Sequence, residues 1–143
     1  MNNQVVARYR DGRLLKGLAL DIDPAKPTFH VRPAPGQATT VRLADLKAIF
    51  YVRSLDGNSE HVETLTPDPT DARARATRLV TLRFTDGEVM VGHSIGYPMN
   101  RPYFYIVPVD PRSNNIRIMI NRSALESIDS KPVEAPQLAA MAC

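Results

Sequence analysis

A ten-residue pattern that occurs twice constrains the fold more than any other feature of this chain. Residues 8–17 and residues 83–92 each contain Asp-Gly between two alternating segments, and each ends in a second glycine five positions later. Asp-Gly predicts a tight hairpin turn, because such a turn needs a positive φ that glycine adopts without strain. The second glycine predicts a sharp bend in the strand that follows the turn. Each copy is therefore expected to form a β-hairpin with a bent second strand.

The similarity continues beyond the two hairpins, which indicates an internal duplication. The matching positions are Pro27, Phe29 and Pro33 with Pro102, Phe104 and Pro108, followed by Leu46 and Ile49 with Leu125 and Ile128. We therefore predict a first small β-barrel repeat over residues 1–57, a linker over 58–77, a second repeat over 78–129 and a flexible tail over 130–143.

Alternation of apolar and polar residues predicts five short strands in each repeat. Val5, Ala7 and Tyr9 share one face of the first strand, a period typical of a half-buried antiparallel strand. A helical turn is expected before the fifth strand. The predicted fold class is all-β, with two tandem SH3/Sm-like five-stranded small barrels. The barrels are expected to pack together, because a unit of roughly 55 residues buries too little surface to be stable alone.

Composition narrows the class of protein. The longest apolar runs fall far short of the ~18 residues of a membrane span, and the first residues do not read as a secretory signal. A single cysteine, Cys143, excludes a disulfide framework and favours a cytoplasmic protein. The net charge is +3, and arginine outnumbers lysine by fourteen to four. Arginine suits carboxylate and phosphate partners, although an arginine-rich composition also arises without any ligand.

No catalytic or metal-binding pattern is present in the sequence. His30, His61 and His93 are not spaced as metal ligands, and no cysteine accompanies them. Ser94 lies in a Gly-x-Ser-x-Gly segment, but the duplication places this segment in a strand rather than in a strand-to-helix turn. We therefore predict no enzyme activity, no metal and no cofactor.

Arginines provide the candidate binding residues. Four of them alternate outward on predicted strands of the first repeat, and three precede the second repeat: Arg8, Arg10, Arg32 and Arg42, then Arg73, Arg75 and Arg78. On neighbouring strands the first four would form one basic surface. The placement of the other three resembles that in cyclic-dinucleotide receptors of the PilZ kind. Tyr103 and Tyr105 either stack on bases or pack against the other repeat.

The hairpins with the segments around them resemble the first Sm motif. The matching residues are Val5, Asp11-Gly12, Gly17, Asp23 and Phe29, then Val80, Asp86-Gly87, Gly92 and Phe104. The segment from Lys47 to Arg53, followed by Asp56-Gly57, resembles an uncharacterised bacterial family with similar barrel repeats, often beside signalling domains. That resemblance implies no enzyme activity.

Two functions remain open from the sequence. The first is a non-catalytic cytoplasmic binding or adaptor module whose partner is another protein, in bacterial signalling or regulation. The alternative is a receptor for an anionic nucleotide (a cyclic dinucleotide) or for RNA, bound through the surface arginines. No membrane partner is expected.

Overall fold

The computed structural model describes residues 3–33, 36–57, 60–67, 70, 78–95 and 101–132, and these residues form an all-β protein. Ten antiparallel strands make one continuous sheet. The strands are β1 Asn3–Tyr9, β2 Leu14–Ala19, β3 Thr28–Arg32, β4 Thr39–Arg42, β5 Leu46–Val52, β6 Arg78–Phe84, β7 Val89–Ile95, β8 Tyr103–Pro108, β9 Asn115–Asn121 and β10 Leu125–Pro132. In this part of the chain, no helix is long and apolar enough to cross a membrane.

The strand order repeats, as an internal duplication requires. The sheet runs β10-β6-β7-β8-β9-β5-β1-β2-β3-β4, so each half places its fifth strand beside its first, followed by the second, third and fourth. A short 3-10 helix precedes the fifth strand of each half, at Leu43–Asp45 and at Arg122–Ala124. Strand β10 continues to Pro132, three residues beyond the predicted end of the second repeat. Pairing of β5 with β9 joins the halves.

The two Asp-Gly turns have matching geometry, which confirms the hairpin prediction. Gly12 has φ of 95° and Gly87 has φ of 94°. In each turn the aspartate accepts a hydrogen bond from the backbone N–H two residues later, at 3.0 Å for Asp11 and 2.9 Å for Asp86. An aspartate that bonds its own turn in this way favours this conformation over an extended one.

The second glycine of each pattern lies where two backbones approach closely. A Cβ on Gly17 would lie 2.5 Å from the carbonyl oxygen of Arg32, and one on Gly92 would lie 2.7 Å from that of Val107. Both distances are well below van der Waals contact, and the opposing atoms belong to backbone that cannot rotate away. The glycines therefore permit the tight packing of the second strand against the third in each half.

Gly17→Ala and Gly92→Ala should each lower the free energy of unfolding by about 2 kcal/mol, because the added methyl group forces two strands apart. Gly36→Ala is the matched control, since its Cβ would lie 3.3 Å from the nearest atom, the carbonyl oxygen of Pro33. Urea denaturation of the three variants measures the difference. Equal midpoints for Gly17→Ala and Gly36→Ala would contradict the close approach.

Strand β5 is shared between two hydrophobic cores, and all seven of its residues are buried. Ala48, Phe50 and Val52 belong to the core of the second half, whereas Ile49 and Tyr51 belong to the core of the first half. Because successive side chains point to opposite faces of a strand, one strand serves both cores. The halves are thus joined through their interiors as well as through backbone hydrogen bonds.

Two tyrosines of β8 also join the halves. Tyr103 and Tyr105 are partly buried against the core of the first half, which confirms the packing alternative for these residues. The hydroxyl groups of Tyr51 and Tyr105 lie 3.3 Å apart. The guanidinium of Arg117 stacks on both rings, at 4.2 Å from Tyr51 and 4.8 Å from Tyr105. Burial raises the pKa of Tyr51 above its ordinary value, so this hydroxyl stays protonated.

Candidate functional site

Arg8 and Arg10 contact the second half of the protein. Arg8 Nη1 donates a hydrogen bond to Glu88 Oε1 at 2.9 Å, and its guanidinium lies 4.6 Å from the centre of the Phe50 ring. Arg10 donates to the hydroxyl and to the carbonyl oxygen of Ser123, each at 2.9 Å. The outward side of β1 therefore faces the other half. Arg10 is exposed and Arg8 is partly exposed, as the sequence predicted, but internal partners already occupy both guanidinium groups.

The remaining predicted arginines lie in separate places. Arg42 lies opposite Thr28 on the neighbouring strand, four residues from Arg32, so the two arginines are roughly 13 Å apart along the strands. Arg78 donates to Ser130 Oγ at 2.8 Å, which links β6 to β10. Arg73 and Arg75 lie outside the described residues. Within the described part of the chain, the predicted arginines do not converge on one point.

A row of leucines on the outward side of β2 is the most unusual surface of the first half. Leu14 and Leu20 are 52% and 72% exposed, and Leu18 lies between them on the same side. The same side also carries the exposed Lys16, and the inward positions hold Leu15, which packs against the core, and the small, buried Gly17 and Ala19. A strand with one face on the core ordinarily presents polar residues to water. The exposed leucines depart from that pattern, which makes this strand a candidate interaction surface.

A groove of about 390 Å³ lies beside this row, lined by Leu18, Leu20, Asp21, His30, Arg32 and Ala38. We call the leucine row with this groove the β2 face. Asp21 accepts hydrogen bonds from the backbone N–H of His30 at 2.9 Å and from its ring Nδ1 at 2.6 Å. These bonds from His30 lower the pKa of Asp21, so the carboxylate is ionised and already engaged. Arg32 is exposed and forms no ion pair with any residue that the structure describes.

Part of the linker lies beside the corresponding strand of the second half. The shared Asp-Gly turn aligns Leu14 with Val89, and both lie on the second strand of their halves. Val89 lines a cavity of about 360 Å³ together with Val91 and with Glu63 and Leu65 of the linker. One acidic and one apolar side chain of the linker thus lie beside the counterparts of Leu14 and Lys16.

The same linker segment makes a polar contact with the loop between β8 and β9. His61 Nε2 lies 2.7 Å from Asp110 Oδ2 and 3.7 Å from Glu63 Oε1. The backbone N–H of Thr64 donates to Asp110 Oδ2 at 2.9 Å, and that of Arg112 donates to Asp110 Oδ1 at 2.8 Å. The Asp110 side chain is only 4% exposed. A buried charge therefore holds the linker on the second half.

The two carboxyl groups of this cluster are shifted in opposite directions. Burial raises the pKa of Glu63, and the nearby charge of Asp110 adds to the increase. Burial also opposes ionisation of Asp110, but the backbone N–H groups of Thr64 and Arg112, with His61, outweigh it and lower the pKa of that carboxyl group. Asp110 is therefore the permanent negative charge of the cluster.

Sequence reasoning missed both the β2 face and the polar cluster. The β2 face could have been predicted from the alternation on β2, because leucines occupy positions that the duplication assigns to the outward side. The cluster gave almost none, since His61 and Asp110 are 49 positions apart and meet only through the path of the linker.

Comparison with known proteins places the chain in a family. The model of the family of unknown function DUF6982 matches residues 1–130, so the chain belongs to that family. No curated protein and no solved structure matches the chain.

Proposed function

We propose that this protein is a non-catalytic adaptor that binds an extended, acidic and apolar segment of a partner protein on the β2 face. The observation that carries the proposal is the row of exposed leucines beside Arg32, which forms no ion pair within the described chain. We also propose that each half is a small barrel of the SH3/Sm type. The repeated strand order and the presence of one core in each half support that assignment.

The apolar part of the β2 face supplies binding energy. Leu20 is 72% exposed and Leu18 is partly exposed, so a partner side chain that covers them removes apolar surface from water. Full burial of one leucine side chain contributes about 1.5–3 kcal/mol. Two such contacts supply at most about 3–6 kcal/mol, which is no more than the cost of immobilising and ordering a peptide, so an ion pair with Arg32 must also contribute to the affinity.

The charge of the β2 face favours a partner segment with a negative charge. His30 satisfies Asp21, which leaves Arg32 as the side chain able to form a new ion pair in the groove. A guanidinium pairs with a carboxylate through two parallel hydrogen bonds, and a basic partner is repelled. The expected ligand therefore has an acidic residue close to an apolar one.

The second half indicates the conformation of the ligand. There, Glu63 and Leu65 of the extended linker line the cavity of the equivalent strand, with one residue between them. Side chains two positions apart in an extended chain point the same way. The linker lies beside Val89 and Val91, the counterparts of Leu14 and Lys16, so a partner segment with the pattern acidic-x-apolar would lie along β2 from Leu14 toward the groove. A cytoplasmic role in bacterial signalling or regulation fits such an adaptor.

Selection of short displayed peptides on the full chain tests this proposal. Enriched peptides should contain an acidic residue two positions before an apolar residue. Leu20→Ser and Arg32→Glu should each weaken their binding about tenfold or more, equivalent to about 1.4 kcal/mol, as measured by fluorescence anisotropy. Arg42→Glu is the matched control, because Arg42 is an exposed arginine outside the groove and its replacement should change affinity little.

Three outcomes would contradict the assignment. Enriched peptides could be basic, the Arg42→Glu control could weaken binding as much as Arg32→Glu, or a cyclic dinucleotide could displace the bound peptide. The last result would favour the nucleotide-receptor alternative. Steep loss of affinity with added salt would indicate phosphate contacts rather than an apolar interface.

A further inference from the structure

Three metal-ligating side chains meet at the contact between the linker and the loop that precedes β9. One ligand atom from each of His61, Glu63 and Asp110 lies within 4.8 Å of the other two. Asp110 is buried, whereas His61 and Glu63 have side chains that are 22% and 39% exposed. The three donors thus form a site with a protected carboxylate at its base and an opening toward solvent.

In the linker, His61 and Glu63 lie beside Asp110, whereas the apolar Val62 between them faces solvent. Val62, between His61 and Glu63, is 86% exposed. Ordinary burial preferences are the reverse, since valine is commonly buried while glutamate and histidine are more often in contact with water. In an extended segment, neighbouring side chains point to opposite sides, so turning both ligating residues toward Asp110 forces Val62 outward. This arrangement indicates a selected role for the two inward groups.

We propose that His61, Glu63 and Asp110 bind a divalent transition-metal ion, best matched by Zn²⁺, and that the ion fastens the linker to the second half. One imidazole nitrogen with two carboxylate oxygens is a donor set that suits zinc, whereas calcium and magnesium prefer oxygen ligands alone. This proposal is independent of peptide binding on the β2 face.

The distances between donor atoms are close to those that zinc requires. Tetrahedral zinc with bonds of about 2.0–2.2 Å holds its ligand atoms roughly 3.4 Å apart. His61 Nε2 is 2.7 Å from Asp110 Oδ2 and 3.7 Å from Glu63 Oε1, so small side-chain shifts admit the ion. The backbone N–H of Arg112 continues to orient Asp110 through its other oxygen. Such outer hydrogen bonds fix the direction of metal ligands.

Isothermal titration of ZnCl₂ into the chelator-treated full chain tests the site. We expect one ion per chain with a dissociation constant of about 10 µM or tighter. His61→Ala and Glu63→Gln should each weaken binding about tenfold or more. His30→Ala is the matched control, because His30 also pairs with an aspartate, at 2.6 Å from Asp21, but without a third ligating residue in the described chain. Its affinity for zinc should be unchanged.

Hydrogen exchange in residues 60–67 provides a second readout that reports the position of the linker. Zinc at a concentration near the wild-type dissociation constant should slow exchange there in the wild type and much less in Glu63→Gln. The proposal is overturned if the wild type binds no zinc, if His61→Ala and Glu63→Gln both bind as the wild type does, or if His30→Ala loses as much affinity as they do. Retained folding of each variant, checked by circular dichroism, separates loss of the site from loss of the fold.

Discussion

Phe50→Asp should unfold both halves of the protein together. Phe50 is 5% exposed and belongs to the core of the second half, although its strand is part of the first. Loss of a buried phenylalanine ring alone costs about 3–5 kcal/mol. A carboxylate in its place would also lose most of its hydration, and the nearby guanidinium of Arg8 is already paired with Glu88. The total is comparable to the whole stability of an ordinary domain, about 5–15 kcal/mol.

Asp129, the position that corresponds to Phe50 in the second half, provides a matched control for Phe50→Asp. The pairing of Leu46 with Leu125 makes Asp129 the counterpart of Phe50, and Asp129 is exposed on strand β10. Asp129→Ala should change the free energy of unfolding by less than about 0.5 kcal/mol. Thermal melts of the wild type should show a single transition, because β5 serves both cores. Two separate transitions, or a Phe50→Asp variant that melts like Asp129→Ala, would contradict the shared core.

The contrast between these equivalent positions follows from where the two fifth strands lie in the sheet. Strand β5 is central and pairs with β1 and β9, whereas β10 is at the end of the sheet and pairs only with β6 in the described chain. A free strand edge is a site for unwanted association, and charged residues on it oppose that. The copies therefore diverged according to position, apolar at the junction and acidic at the edge.

The sequence predicts the features that both copies share, but it does not predict how the two copies join. The hairpin turns and the helical turn before each fifth strand depend on local patterns that survive in both copies, such as Asp11-Gly12 and Asp86-Gly87. The junction depends on which strand of one copy pairs with which strand of the other. No local pattern specifies that β5 pairs with β9. For the same reason the alternation on β1 gave no indication that Arg8 would meet Glu88.

The second large effect is expected from a buried ammonium group at the junction between the halves. Lys47 of β5 has a side chain that is only 6% exposed, and its Nζ donates hydrogen bonds to Asp86 Oδ2 at 2.6 Å and to Glu88 Oε1. It also lies 4.5 Å from the centre of the Phe84 ring. The Asp-Gly turn of the second half thus provides the charges that compensate a lysine of the first half.

The pH dependence of this contact has a definite sign. The hydrogen bond from Lys47 lowers the pKa of Asp86 below its ordinary value of 3.8, and a backbone hydrogen bond from Glu88 contributes. A carboxyl group with a lowered pKa in the folded state stabilises the fold above its unfolded pKa. That stabilisation is lost as the pH falls through the folded value. Acid denaturation of the wild type should therefore include separation of the Asp86 turn from Lys47.

Removing the two carboxylates while keeping the lysine should cost more than removing all three charges. Asp86→Asn with Glu88→Gln leaves a buried ammonium without a counter-charge, which should lower the free energy of unfolding by about 3 kcal/mol. Adding Lys47→Met to that double variant replaces the ammonium with an apolar group of similar length, and most of the loss should be recovered. Urea denaturation at neutral pH measures all three proteins, with Arg13→Gln as a control for an exposed ion pair, that with Asp11. A triple variant less stable than the double variant would show that Lys47 stabilises the junction by some means other than pairing with these carboxylates.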